Sequence, residues 1–112
     1  DQGVLIYEYN LFIIERTKLR SAQPLPAGQH TLEIITQHTD DNPRGPLSIK
    51  CSLNGTQVID GMVPRPAALI LTANDCLDVG QALGSPVSMD YRERAPFKFN
   101  GTIHTMKVDY LK

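Results

Sequence analysis

The side chains best placed to do chemistry are three aspartates in the irregular stretch between residues 72 and 95. Asp75, Asp78 and Asp90 stand there among other oxygen-bearing side chains. Carboxylates on a loop are ligands for Ca²⁺, which takes six to eight oxygens, and two converging carboxyl groups can act as acid and base. Their spacing matches no calcium loop, and aspartates also cap turns through their own backbone. We therefore predict no metal site and no cofactor here, and we keep a small acid–base enzyme only as a third alternative.

The other reactive side chains also lack a spacing that supports catalysis or metal binding. His30 and His38 share a face of one predicted strand, but eight residues at roughly 3.3 Å each separate them by about 26 Å. No serine stands in a Gly-x-Ser-x-Gly elbow. Cys51 lies in an alternating pattern that is typical of a buried thiol, and a bridge between Cys51 and Cys76 stays open. The sequence predicts that this chain alone is not an enzyme.

The elements that would position these side chains are strands, because apolar residues recur with period two. Residues 4–14 read as one long strand with apolar groups on both faces, so we expect it to be central or covered by a partner. One of its faces carries Leu5, Tyr7, Tyr9 and Leu11.

Further strands are predicted over residues 17–22, 30–39, 47–53, 56–63, 67–71 and 102–111. One more predicted strand carries Phe97 and Phe99 on one face. Asn54-Gly55 predicts a tight hairpin, since both residues accept positive φ. Residues 72–95 read as a shaped loop around a short strand at 77–80. The last strand is predicted to carry His104, Met106, Val108 and Tyr110 on one side and Ile103 and Leu111 on the other.

Composition agrees with an all-β domain. Ile, Val and Thr outnumber Ala, Glu and Lys, and eight Gly and eight Pro punctuate the 112 residues. About eight short strands predict a single antiparallel β-sandwich or jelly roll of the lectin-like kind over residues 1–112. The net charge is −1 with scattered cations, which argues against a nucleic-acid partner, and no apolar run is long enough to span a membrane.

A known family has short motifs in the same order as this chain, and the set extends over nearly all of it. The motifs are Tyr7–Asn10, Pro24–Thr31, Leu53–Gly55, Val63–Arg65, Asp78–Gly80, Gly84–Ser88 with Asp90–Tyr91, Pro96–Phe99 and Gly101–Ile103. In this order they resemble the C-terminal domain of long bacterial arylsulfatases. The chain departs from that family at Ala82-Leu83, where its relatives carry an Asp-Thr pair.

The resemblance implies a β-sandwich appended to an α/β catalytic domain, in which the sulfatase chemistry takes place. That chemistry needs Cys or Ser followed by x-Pro-x-Arg, and the stretch Cys51–Gly55 lacks both the Pro and the Arg. We therefore expect a non-catalytic accessory or interaction domain, stand-alone or part of a larger sulfatase. The compartment, cytoplasmic or secreted, stays open.

The resemblance also implies that the sandwich of the relatives begins before Asp1, so an edge of this one is expected to be missing. An uncovered edge strand invites pairing with another chain. We therefore predict a homo-oligomer, or contact with an attached catalytic domain, through residues 4–14, where Leu5, Tyr7, Tyr9 and Leu11 form the self-association strand.

A second surface is predicted in the loop of residues 72–95, which would meet a partner or a ligand. Its shaping residues are Asp78, Gly80, Pro86, Asp90 and Tyr91. The alternative function is a carbohydrate-binding, lectin-like sandwich, in which Asp90 would bond a sugar and Tyr91 would stack on it.

Overall fold

The computed structural model describes residues 1–67 and 77–110, and it is built almost entirely from strands and loops. The chain divides into two compact units, residues 1–71 and residues 72–112. The described part of the first unit, residues 1–67, holds five strands in two antiparallel sheets. The prediction of an all-β chain is therefore confirmed. The predicted strand at 67–71 lies almost wholly outside the described residues.

The first sheet is a hairpin of β1 (Val4–Leu11) and β2 (Glu15–Pro24). The prediction of one strand over residues 4–14 is wrong at its end, because the chain reverses at Phe12 and Ile13. Both have positive φ, 47° and 68°, and the Ile14 N–H donates to the Leu11 carbonyl at 2.8 Å. Positive φ at both central residues marks a type I′ turn. Such turns usually contain Asn or Gly, so the apolar residues Phe12 and Ile13 give no sign of a turn in the sequence.

The second sheet has the order β3 (Leu32–His38), β4 (Leu47–Leu53) and β5 (Thr56–Val63). The bounds of β4 and β5 match the prediction, and Asn54-Gly55 forms the predicted hairpin with φ of 51° and 84°. Asn54 also ties the hairpin to the start of β3. Its backbone N–H donates to the Thr31 carbonyl, and its Oδ1 accepts the Thr31 N–H at 2.9 Å.

The core of the first unit lies on one face of β4 and β5. Its buried side chains are Leu47, Ile49, Cys51, Ile59 and Val63. Leu5, Tyr7 and Tyr9 of β1, Leu19 of β2 and Val58 pack against this cluster. The hydrophobic effect of closing these side chains together is what holds the two sheets in contact.

The second unit has little regular structure among its described residues. Its one helical element is the 3₁₀ helix Met89–Arg94, which begins after Ser88, whose Oγ accepts the Asp90 N–H at 3.2 Å. The strands predicted at 77–80 and at Phe97–Phe99 are wrong. Over the described part of 102–111, residues 102–110, no ladder forms either. A strand needs a neighbour to bond its backbone, and alternation in the sequence does not supply one.

Candidate functional site

The predicted self-association strand β1 uses its side chains inside the first unit. Leu5, Tyr7 and Tyr9 are half-buried against the core, and Leu11 is half-buried at the end of the strand. The Tyr9 hydroxyl accepts the Ala67 N–H at 2.8 Å. These side chains are therefore not a free apolar face. Among the described residues, β2 is the one ladder neighbour of β1.

Tyr7 shows how far β1 reaches across the second sheet. Its side chain forms a hydrogen bond with Thr36 of β3, and burial raises the pKa of the Tyr7 phenol, with the Thr36 bond opposing the shift. On the other side of the hairpin, Leu19 of β2 lies over Gly61 of β5. The hairpin thus extends from β5 as far as the middle of β3.

A strip of apolar surface on β3 remains uncovered beyond this point. The ladder places Leu32 opposite Leu53 and Ile34 opposite Cys51, so both side chains share the face of the buried core. They are nevertheless exposed, Ile34 by 50%. We call Leu32 and Ile34 the β3 strip. Alternation in the sequence predicts that these residues point inward, but it does not show that only two strands of the described chain face them.

Cys51 carries a free thiol on the core face of β4, where the residue is almost wholly buried. Burial raises the pKa of its thiol, because the thiolate would lose its hydration there. The prediction of a buried Cys51 is confirmed, while Cys76 lies outside the described residues. A thiol held protonated in an apolar core is poorly suited to nucleophilic chemistry.

Two of the predicted loop residues, Asp78 and Gly80, set the backbone of the second unit. Asp78 Oδ2 accepts the Leu83 N–H at 2.7 Å, the turn-capping role that needs no ligand. Gly80 has φ of 83°, and its carbonyl accepts the Phe99 N–H at 2.6 Å. Asp75, the third member of the acidic group, lies outside the described residues.

The side chain of Tyr91 makes its contacts with other residues of the second unit. Its ring stacks on Phe97 with centroids 4.8 Å apart, and its hydroxyl accepts the Val87 N–H at 3.1 Å. Arg94 lies over the same Phe97 ring at 4.8 Å and donates to the Asp90 carbonyl. Pro86 is half-buried nearby in sequence. One face of the Tyr91 ring is thus filled by Phe97, and the carbohydrate-binding alternative stays a prediction.

Two hollows are lined by residues of the second unit. One, of about 460 Å³, is lined by Gly80 together with Val79, Gln81, Lys98, Phe99, Gly101 and Ile103. A second, of about 350 Å³, includes Asp90 beside Met89, Arg92, Glu93 and Arg94. Asp78, Pro86 and Tyr91 line neither. The five predicted loop residues therefore do not converge on one pocket.

Residues 1–67 and 77–110 contain neither a cluster of metal ligands nor a membrane-spanning helix. Within these ranges, no three His, Cys, Asp or Glu side chains come together as metal ligands. The described chain also contains no helix that is long and apolar enough to cross a membrane.

Comparison with known proteins gives no relative from which a role could be transferred. No protein-family model matches the sequence, and neither the curated proteins nor the solved structures contain a significant match. The surfaces that bear on function are therefore the side of β1 away from β2, where the described residues place no ladder strand, and the β3 strip.

Proposed function

We propose that this chain is a non-catalytic interaction domain, a β-sandwich that associates with a second copy of itself. The arylsulfatase resemblance supports an accessory role of this kind, beside a catalytic domain that carries the chemistry. The binding surface is the backbone edge of β1 together with the β3 strip.

The observation that carries the proposal is the mismatch between a two-stranded sheet and a three-stranded one. Leu19 covers β5 at Gly61 and Tyr7 reaches Thr36, so the two strands cover β5, β4 and part of β3. Leu32 and Ile34 of β3 are not covered, so their apolar side chains remain exposed next to the edge of β1. An added strand would bond the β1 edge and cover the β3 strip at once, as in binding by β-augmentation.

A second copy is the partner that fits this surface best. An edge strand with unpaired N–H and C=O groups is a template for pairing with another chain, unless charge or proline protects it. β1 contains no proline, and its one charged side chain, Glu8, is buried and paired with Lys18 of β2. Identical chains meet through identical surfaces in a closed two-fold dimer, so both open edges are covered together.

The test is a pair of matched glutamate variants studied by sedimentation velocity. Ile34→Glu places a charge in the β3 strip. Met62→Glu places the same charge on the opposite face of the same sheet, at a side chain with equal exposure, 51%. Both replaced side chains are half exposed, so neither variant should unfold the chain.

We expect the unaltered chain and Met62→Glu to sediment as dimers at tens of micromolar, and Ile34→Glu to dissociate at least roughly tenfold more readily, because it would bury an unpaired charge. Equal association of all three proteins would overturn the proposal, as would a monomeric unaltered chain.

A further inference from the structure

Hydrogen bonds of His30 and Asn54 join the segment between β2 and β3 to the turn between β4 and β5. The His30 Nε2 lies 2.8 Å from the Pro26 carbonyl oxygen, and its Nδ1 lies 2.9 Å from Nδ2 of Asn54. The Oδ1 of the same Asn54 amide accepts the Thr31 N–H at 2.9 Å. The ring and the amide therefore form one continuous chain of hydrogen bonds from Pro26 to Thr31.

The role of each atom in this chain is fixed by its neighbour. The Thr31 N–H only donates, so the Asn54 amide must present Oδ1 to it and Nδ2 to the ring. Because Nδ2 also only donates, Nδ1 of His30 must carry a lone pair and no proton. The Pro26 carbonyl only accepts, so the one ring proton lies on Nε2. The bonds thus require a neutral imidazole in the Nε2–H tautomer.

A second proton on the ring is incompatible with keeping all of these bonds at once. A charged imidazole has two N–H donors and no acceptor, so Nδ1–H of His30 would face an N–H of Asn54. Turning the Asn54 amide over would present Oδ1 to the ring, but it would place Nδ2 against the Thr31 N–H. Either the bond between His30 and Asn54 or the bond between Asn54 and Thr31 is therefore lost.

The two segments that meet at His30 carry no other charge. Residues 24–31 contain no acidic or basic side chain apart from His30, and residues 53–56 around Asn54 contain none. The next charged residue along the chain is Glu33, which the ladder places opposite Ser52. Within these segments, the charge of the ring acts through its hydrogen bonds with Pro26 and Asn54.

We propose that His30 is a pH-sensitive latch. Its neutral ring fastens residues 24–31 to the turn between β4 and β5, and its protonation releases them. The ring is half-buried, so solvent protons reach it without unfolding of the chain. The latch acts at the beginning of β3, because Thr31 directly precedes Leu32, the first residue of that strand. This inference is independent of the proposed self-association, since every bond in it lies within one chain.

NMR spectroscopy of the full chain tests the latch at the ring and at the Thr31 amide. Spectra recorded between about pH 5 and about pH 8 cover the range in which imidazoles gain their charge. Near the upper end, His30 should show the Nε2–H tautomer alone, and the exposed His38 and His104 give the comparison in the same spectra. As the His30 ring gains its second proton, the protection of the Thr31 amide against hydrogen exchange should fall by roughly fivefold, as expected for the loss of one hydrogen bond.

The variant Asn54→Asp separates the latch from a general effect of pH. A carboxylate only accepts, so it can accept the Thr31 N–H together with Nδ1–H of a charged ring. Aspartate also tolerates the positive φ of this position. Protection of Thr31 in Asn54→Asp should therefore not fall when His30 is protonated. His30→Phe should also remove the dependence on pH, whereas its matched control His38→Phe should keep the whole loss.

A His30 ring that populates both neutral tautomers would overturn the proposal. So would a Thr31 amide whose protection in the unaltered chain does not change on protonation of His30. An equal fall of this protection in Asn54→Asp and in the unaltered chain would also overturn it, because the loss would then not depend on the amide of Asn54.

Discussion

Gly61 of β5 lies directly beneath Leu19 of β2. A Cβ built on Gly61 would come within 2.6 Å of both Cδ atoms of Leu19, closer than carbon atoms can approach. Gly61 stands opposite Ile49, the most deeply buried residue of the core. The absence of a side chain at position 61 is therefore what lets the β1–β2 hairpin settle on the second sheet.

Gly61→Ala should destabilise the first unit by about 1–3 kcal/mol, because the added methyl group displaces Leu19 from its contact. Urea unfolding followed by circular dichroism measures this change. Leu19→Ala should lose packing on its own. The double variant Gly61→Ala with Leu19→Ala should cost less than the sum of the two single costs, since the clash no longer exists. Strict additivity would show that Leu19 and Gly61 do not touch.

The turn between β1 and β2 carries strain that a glycine would relieve. Ile13 has φ of 68°, where a β-branched side chain is unfavourable by about 1–2 kcal/mol, and the side chain is 79% exposed. We expect Ile13→Gly to raise the free energy of unfolding by about 1 kcal/mol, as measured by urea titration.

The matched control for Ile13→Gly is the neighbouring Ile14→Gly. Ile14 is equally exposed but has no positive φ, so glycine there should lower stability by about 0.5–1 kcal/mol. Opposite signs for the two glycine variants are the expected outcome. A loss of stability in both would contradict the strained turn.

Stability should fall in alkaline solution because of Cys51. Burial raises the pKa of its thiol above the ordinary value of 9.0, so the folded chain holds this proton more tightly than the unfolded chain does. The contribution of the Cys51 thiol to the free energy of unfolding is complete below about pH 9. It is lost as the pH rises through the raised pKa of the folded chain. The buried Tyr7 phenol, whose pKa is also raised, acts in the same direction at higher pH.

Urea unfolding at about pH 8 and about pH 10 measures this loss. Cys51→Ala should show a smaller loss of stability between these two conditions than the unaltered chain, and Cys76 is common to both proteins. Identical losses in the two proteins would mean that the Cys51 thiol does not titrate differently in the folded and unfolded chains.

The two ion pairs that involve residues of the β1–β2 hairpin should contribute differently to the free energy of unfolding. Glu8 of β1 pairs with Lys18 of β2 at 3.4 Å, and the Glu8 side chain is only 7% exposed. Arg65 pairs with Glu15 at the surface. Removing the partner of a buried carboxylate leaves its charge uncompensated, so Lys18→Met should cost about 2 kcal/mol. Arg65→Met should cost about 0–1 kcal/mol. Thermal unfolding of the two variants gives the comparison, and equal costs would contradict the burial of Glu8.

The sequence predicts strands well where polar and apolar residues alternate between turn signals. Ser48 and Lys50 alternate with the buried residues of β4, and Asn54-Gly55 fixes the register of β4 and β5, so the bounds of these strands are correct. The prediction fails at Phe12-Ile13, where a turn is built from residues that normally avoid positive φ. Alternation alone continues the strand through that turn.

The candidate surface is harder to predict from sequence, because it depends on how many strands face one another. Leu32 and Ile34 are apolar residues in a strand pattern that predicts burial, and they are exposed where the described residues place two strands against three. Leu5, Tyr7 and Tyr9 were expected to form an interface, yet they pack on their own core. The exposed apolar side chains nearest to β1 are instead those of the β3 strip, and self-association through β1 stays a prediction.

Light scattering on the unaltered chain tests self-association most directly. At tens of micromolar, the interaction-domain account predicts one species with about twice the 12.4 kDa mass of the chain. Dilution should convert it to monomer without unfolding it, since the core of the first unit lies within one chain. A constant mass near 12.4 kDa across the same range would contradict the account, because the edge of β1 and the β3 strip would then remain uncovered.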